Sequence, residues 1–132
     1  MPDINTPPPQ THKKVLCIED DHFINELYVR ALTKAGYQVT VVTDGQQGLA
    51  EALTDTYDIV LLDIMLPNML GTDVLKRLRQ EAPALRAKVI ITTNLELSED
   101  DRTAIEHQAD GYIVKAELTP RQLAEFLNQL KT

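Results

Sequence analysis

Short apolar runs alternate along the chain with segments whose apolar positions recur at helical spacing. Val15 to Glu19 (VLCIE) is continuously apolar and ends in acid, the pattern of a buried strand. Residues 22 to 35 place Phe23, Leu27, Ala31, Leu32 and Ala35 near one helical face, and Gly36 closes that helix. Gln38 to Thr43 is β-branched and predicts a strand, and residues 45 to 54 predict a short helix on Leu49, Ala52 and Leu53. Asp58 to Asp63 (DIVLLD) is again an apolar run ending in acid. Residues 71 to 80 carry Val74, Leu75 and Leu78 on one face, and Val89 to Thr93 (VIITT) predicts a strand. Residues 99 to 108 predict a polar helix that Ser98 can cap, with Asp101 three residues on. Tyr112 to Lys115 is the last predicted strand. Thr119-Pro120-Arg121-Gln122 has the form of a capping box with proline at the first helical position, and Leu123, Phe126, Leu127 and Leu130 follow on one face.

This pattern is five βα units. Strands that are continuously apolar rather than alternating imply a parallel sheet covered on both faces. The alternation of strand and helix implies an α/β domain with an open, doubly wound sheet. No internal repeat and no second domain are visible, and 132 residues suit one domain.

Composition narrows the setting. Apolar residues make up 43% and charged residues 25%, the balance of a soluble globular chain. A formal net charge of −7 argues against non-specific nucleic-acid binding, and no basic tract or appended DNA-binding module is visible. No apolar run approaches the length of a membrane span, so no membrane insertion is expected, and the N-terminus lacks the apolar region of a secretory signal. The single cysteine, Cys17, excludes an internal disulfide and makes a cytoplasmic location the default. Residues 1 to 13, with consecutive prolines Pro7 to Pro9, read as a disordered or polyproline-II tail, with a proline-rich docking motif as the alternative; residues 14 to 131 read as the folded domain.

In open α/β sheets the functional site lies beyond the carboxyl ends of the strands. The first predicted strand ends in Glu19-Asp20-Asp21, the third in Asp63, the fourth in Thr93 and the fifth in Lys115. Clustered carboxylates repel one another and resist joint desolvation. A bound divalent cation relieves both, and an all-oxygen set favours Mg2+ or Ca2+ over zinc. With a hydroxyl and an ammonium beside it, such a cleft suits a phosphoryl group, and a carboxylate can itself be the nucleophile that forms an acyl phosphate.

These residues carry a family resemblance. Asp63-x-x-x-Pro67-x-x-x-Gly71 resembles the phosphoacceptor segment of response-regulator receiver domains. Ile18-Glu19-Asp20-Asp21 resembles that family's acidic pair, Thr93 its switch hydroxyl, and Gly111-Tyr112-Ile113-Val114-Lys115 its fifth strand. The resemblance covers about residues 13 to 131 and implies a flavodoxin-like (βα)5 fold with strand order 2-1-3-4-5. It implies Asp63 as the phosphorylated residue, Asp20 and Asp63 as direct Mg2+ ligands, Glu19 acting through metal-bound water, and the Met65 backbone carbonyl completing the protein's share of the shell. Lys115 would pair with Asp63 and then with phosphoryl oxygens. Thr93 would hydrogen-bond the phosphoryl group and Tyr112 would move inward behind it. Pro67 and Gly71 would shape the loop and open the third helix. The donor would be a sensor histidine kinase or a histidine phosphotransfer protein. The output would be phosphorylation-dependent protein binding by a stand-alone switch, monomeric or dimerising on phosphorylation, at the fourth helix, fifth strand and fifth helix. Catalysis would be limited to its own phosphorylation and slow autodephosphorylation.

Two positions depart from the family pattern. Ala116 follows Lys115 where the family usually has proline after a cis peptide. A cis bond before a non-proline residue costs roughly 2.5–4 kcal/mol, so Lys115–Ala116 is expected to be trans. Asn94 follows Thr93 where a very small residue is usual. Met65 and Leu95 occupy the positions that flank an attacking water, and neither can orient it, so the acyl phosphate is expected to be long-lived.

Several residues have plainer readings. Asp21 reads as a helix cap, Thr92 as packing on the face opposite Thr93, and Cys17 as a buried core thiol. His12, His22 and His107 read as solvated. Two other functions fit less well. A phosphorylation-independent interaction module of the same fold would not need the full acid, Thr93 and Lys115 set. A Mg2+-dependent small-molecule phosphohydrolase would want a second acid two residues after Asp63, where Met65 stands.

Overall fold

The computed structural model describes residues 13–94 and 97–130. Ten regular elements alternate along it: β1 (Lys14–Ile18), α1 (His22–Lys34), β2 (Gln38–Val42), α2 (Gly45–Ala52), β3 (Ile59–Asp63), α3 (Gly71–Glu81), β4 (Lys88–Thr93), α4 (Glu99–Glu106), β5 (Gly111–Val114) and α5 (Pro120–Asn128). The strands form one parallel sheet in the order β2-β1-β3-β4-β5. This is the doubly wound five-stranded fold that the apolar pattern implied.

The sheet divides the core into two layers. Leu16, Ile18, Val60, Leu62, Val89 and Ile91 face α2, α3 and α4, where Leu49, Val74, Leu75, Leu78 and Ile105 meet them. Val15, Cys17, Ile59, Leu61, Ile90 and Ile113 face α1 and α5, against Tyr28, Leu32, Leu123 and Leu127. The alternation along each strand is the period-two geometry of the backbone, with both faces buried.

Four of the five helices start where a side chain satisfies free backbone donors; α3 follows Leu70, which cannot. Asp21 accepts from the amides of Phe23 and Ile24, and Asp44 from that of Gln47. Ser98 caps α4, and Thr119 with Gln122 completes the capping box of α5.

Several boundaries differ from the sequence-based expectation. β1 ends at Ile18, so Glu19 lies just past the strand, although its amide still donates to the carbonyl of Val42 at 3.1 Å. β3 starts at Ile59; Asp58 precedes it, and its carboxylate accepts the Lys14 amide while its backbone bonds to Lys14 and Lys88. α4 stops at Glu106, two residues early; Ile105 is its one buried side chain, and His107 and Gln108, which follow, are polar. β5 ends at Val114. Lys115 opens a 3-10 turn, Lys115–Glu117, which fills the space before α5. No peptide is cis among the described residues, so Lys115–Ala116 is trans as expected. Of the expected tail, residues 1–12 lie outside the described residues.

Candidate functional site

β1 and β3 are hydrogen-bonded neighbours in the middle of the sheet, and their ends point the same way. Ile18 pairs with Leu62, so the residues that follow them, Glu19 and Asp63, come together. β4 and β5 continue the sheet, with Asp63 opposite Thr92 and Thr93 opposite Val114. Lys115 follows Val114 and reaches back across the end of β4. Its Nζ lies 2.8 Å from Glu19 Oε2 and 3.2 Å from Asp63 Oδ2. All three side chains are almost fully shielded, at 7% exposed for Lys115 and 4% for each acid. The sequence predicted Lys115 beside Asp63; its shorter contact, to Glu19, was not foreseen.

This charge cluster is unbalanced. Glu19 and Asp63 are both buried, Asp20 is exposed beside them, and among the described residues Lys115 is the one cation in contact. Burial pushes the Glu19 carboxyl up to about 7, and its hydrogen-bonding proximity to Asp63 adds to the rise while Lys115 opposes it. Lys115 is pulled both ways. Burial would lower it, but the bond to Glu19 and the charge of Asp63 outweigh that, and its net shift is upward. One oxygen from each of Glu19, Asp20 and Asp63 can be chosen so that all lie within 4.8 Å of one another. An all-oxygen donor set of this size, with more anionic than cationic groups, fits a small hard cation such as Mg2+.

The loop after β3 completes the rim. The Met65 amide lies 3.4 Å from Asp63 Oδ1, a long contact that steers the carboxylate weakly. Gly71 opens α3 against the Asp63 backbone; a Cβ there would collide with the Asp63 carbonyl. Its amide donates to the Ile64 carbonyl at 2.8 Å. Gly45 plays the corresponding part across the loop, donating to the Pro67 carbonyl at 3.1 Å with no room for a side chain beside Met69. The loop is thereby held from both sides by helix N-termini, and glycine is what lets the backbones approach.

Thr93 is buried at the end of β4, and Thr92 is buried on the opposite face by strand alternation. Tyr112 is half-buried on β5, with the Arg102 guanidinium of α4 5.5 Å from its ring centroid, a cation–π contact. Asn94 is exposed, and Leu95 lies outside the described residues. Cys17 is buried, and burial first of all pushes its thiol up to about 12, which keeps it protonated and unreactive. His22 and His107 are exposed, and His12 lies outside the described residues.

Two features escaped the sequence reading. Asn25 of α1 is buried and bonds to the backbone of the acid loop. The exposed large hydrophobic residues, Phe23, Met65 and Leu70, all stand at this edge of the sheet, at 69%, 67% and 45% exposure. Phe23 starts α1, and the other two lie on the loop after β3. An apolar rim around a charged cleft is the composition of a docking surface.

Comparison with known proteins agrees with this geometry. The family model described as the response regulator receiver domain matches residues 15–128. The response regulator ArlR of Staphylococcus haemolyticus is 37% identical over 101 residues, which cover 76% of this chain and 45% of that protein. The transcriptional regulatory protein HprR of Escherichia coli is 36% identical over 118 residues, covering 89% of this chain and 52% of its own. The chain thus spans about half the length of these curated relatives. Among solved structures, a CheY-like receiver domain protein from Methanospirillum hungatei superposes with a TM-score of 0.78 at 29% identity, covering 90% of this chain and 93% of that one. No helix among the described residues is long and apolar enough to cross a membrane.

Proposed function

The chain belongs to the response-regulator receiver family of two-component signalling, and from that premise we propose that it is a switch phosphorylated on Asp63. Receiver domains are signalling switches rather than metabolic enzymes, and binding Mg2+ is general to them. The observation that carries the assignment to particular residues is the placement of Lys115 between two buried carboxylates, Glu19 and Asp63.

An oxygen of Asp63 attacks the phosphorus of a phosphohistidine on a sensor kinase or phosphotransfer protein. The new O–P bond replaces the P–N bond, and the histidine nitrogen departs with the electron pair and takes up a proton. A cation held by Asp20, Asp63 and the Met65 carbonyl, with Glu19 acting through water, would neutralise charge on the transferring group. Lys115 loses its contact with Asp63 and turns to the phosphoryl oxygens. Thr93 donates its hydroxyl to the same group, which draws it toward Asp63 and leaves space for Tyr112 to move inward. That motion alters the surface of α4, β5 and α5, where Tyr112 now contacts Arg102. The apolar rim of Phe23, Met65 and Leu70 suits the helical face of the donor that presents the histidine. Output through a separate protein, a monomer–dimer change on phosphorylation and a cytoplasmic location complete the reading.

The test is phosphorylation of the purified chain by phosphoramidate or acetyl phosphate. A Mg2+-dependent acyl phosphate on Asp63, absent in Asp63→Asn, is expected. Labelling at full rate in excess chelator, or undiminished labelling of Asp63→Asn, overturns the proposal.

A further inference from the structure

The buried polar side chains of the described chain are Glu19, Asn25, Asp63, Thr92 and Thr93. Four of them stand at or just past the ends of β1, β3 and β4. Asn25 is the exception, since it closes the first turn of α1 and points inward, at 6% exposure, where an amphipathic helix would ordinarily bury an apolar residue. Its Nδ2 donates to the backbone carbonyl of Glu19 at 2.7 Å. Its Oδ1 accepts from the Cys17 thiol at 3.5 Å, which settles the end of the amide that faces Glu19.

The Glu19 carbonyl oxygen belongs to the planar peptide that joins Glu19 to Asp20. Holding that oxygen fixes the plane, and with it the direction in which the chain leaves toward Asp20. On one side of this peptide the Glu19 amide is tied to Val42. On the other, Asp21 caps α1, and the Asn25 amide closes the first helical turn on the Asp21 carbonyl at 3.0 Å. Asp20 lies between these fastenings, exposed, and its carboxylate bonds to nothing among the described residues. We propose that Asn25 is a positioning residue that orients the Glu19–Asp20 peptide so that both acids face Asp63. This rests on the reading of the three acids as a cation site. It adds a residue that never touches the cation but sets the geometry of two acids that hold it, Asp20 directly and Glu19 through water.

A plain core tether would affect stability alone, so the test separates geometry from stability. Asn25→Ala and the milder Asn25→Ser, which keeps a small donor, are compared with Tyr37→Phe. The Tyr37 hydroxyl donates to Asn128 Oδ1 at 2.6 Å beyond the far end of α1, so its loss weakens the fold away from the site. Two measurements are made on the full chain: backbone amide exchange at Asp20 and Asp21 without metal, and calorimetric titration with Mg2+. The expected result for Asn25→Ala is faster exchange at those two amides and about tenfold weaker Mg2+ binding, the usual effect of removing a partner behind a ligand. Asn25→Ser should fall between, and Tyr37→Phe should lower the urea midpoint while leaving both readouts unchanged. If Asn25→Ala does not fold, Asn25→Ser carries the comparison. Exchange and Mg2+ affinity within twofold of the parent in both Asn25 variants overturn the proposal, as does an equal effect from Tyr37→Phe. A parent chain that binds no Mg2+ counts against the cation site instead, and the exchange data still decide whether Asn25 orders the loop.

Discussion

The two ends of the sheet carry the same residue type in opposite circumstances. β3 is bracketed by aspartates in the run DIVLLD: Asp58 precedes it and Asp63 closes it. At the amino edge, Asp58 accepts the Lys14 amide at 2.8 Å and pairs with Arg86 at 3.3 Å. Asp110, just before β5, accepts the Val89 amide at 2.8 Å and pairs with Arg79 at 3.2 Å. Asp55 accepts the Arg86 amide at 3.0 Å. Each of these acids closes a backbone donor that the sheet leaves open. At the carboxyl edge, Asp63 and Glu19 share one lysine, and among the described residues the backbone amide that reaches either carboxylate is that of Met65, at a long 3.4 Å from Asp63. The amino edge is saturated, while the carboxyl edge holds charge that the fold does not itself satisfy. That difference in partners, rather than the acids themselves, marks the functional end.

The largest test of this contrast removes the lysine that Glu19 and Asp63 share. Lys115→Met leaves Glu19 and Asp63 buried without a counter-charge, and breaking such a pair costs roughly 3–5 kcal/mol. A large drop in the urea midpoint is expected in chelator, partly restored by Mg2+. A midpoint unchanged in chelator would mean that the two carboxylates are not held charged together.

A smaller loss is expected at the amino edge. Asp110→Ala leaves the buried Val89 amide without its acceptor, which costs about 1–3 kcal/mol. The exposed Arg79 pair adds little. Mg2+ affinity should not change, since Asp110 sits at the other end of β5. Any weakening of Mg2+ binding comparable to that of a site variant would erase the distinction between the edges.

Much of this was legible in the sequence, and the gaps have physical causes. The continuous apolar runs fixed strand number and parallel pairing, because only a sheet covered on both faces tolerates them. Capping residues located the starts of α1, α4 and α5. The strand ends named Glu19, Asp20, Asp63, Thr93 and Lys115 as neighbours. The sequence could not tell that Asp58 turns back to the Lys14 amide, since that bond spans 44 positions of chain. Nor could it pair Lys115 with Glu19, 96 positions away. Asn25 was invisible because a single polar residue in an amphipathic helix reads as solvated unless its orientation is known. α4 was overextended because its polar sequence carries no signal that marks the end, and His107 already serves as its C-cap.

The unsatisfied edge should also appear in the pH dependence. The Glu19 carboxyl is raised from 4.5 to about 7 by folding, so between these values the folded chain holds a proton that the unfolded chain has lost. Stability from this group is full below about 4.5 and declines as pH rises through about 7, with a slope of at most about 1.4 kcal/mol per pH unit. Chemical denaturation across that window in chelator should show the decline, and Glu19→Gln should flatten it. Saturating Mg2+ should offset the loss toward the upper end, because the cation binds the ionised acid. An equal slope in Glu19→Gln would assign the titration to another group.

The smallest expected effect concerns how long the phosphorylated state lasts. Hydrolysis of an acyl phosphate on Asp63 needs a water in line with the O–P bond. Met65 follows Asp63 by two residues and is 67% exposed at the cleft mouth. Its thioether cannot orient that water or take its proton, and the side chain is large enough to obstruct the approach. Positioning and proton transfer both contribute to such reactions, so their absence lengthens the lifetime. Leu95 stands two residues after Thr93 and offers no polar group either, though it lies outside the described residues. Met65→Asn should therefore accelerate decay several-fold after the donor is removed, and Met65→Asn with Leu95→Glu should accelerate it further, with the phosphorylation rate little changed. Decay of the parent within seconds would show that the cleft already orders a water. An unaltered rate in the double variant would place the limit at the cation or Lys115 rather than at the approach of water.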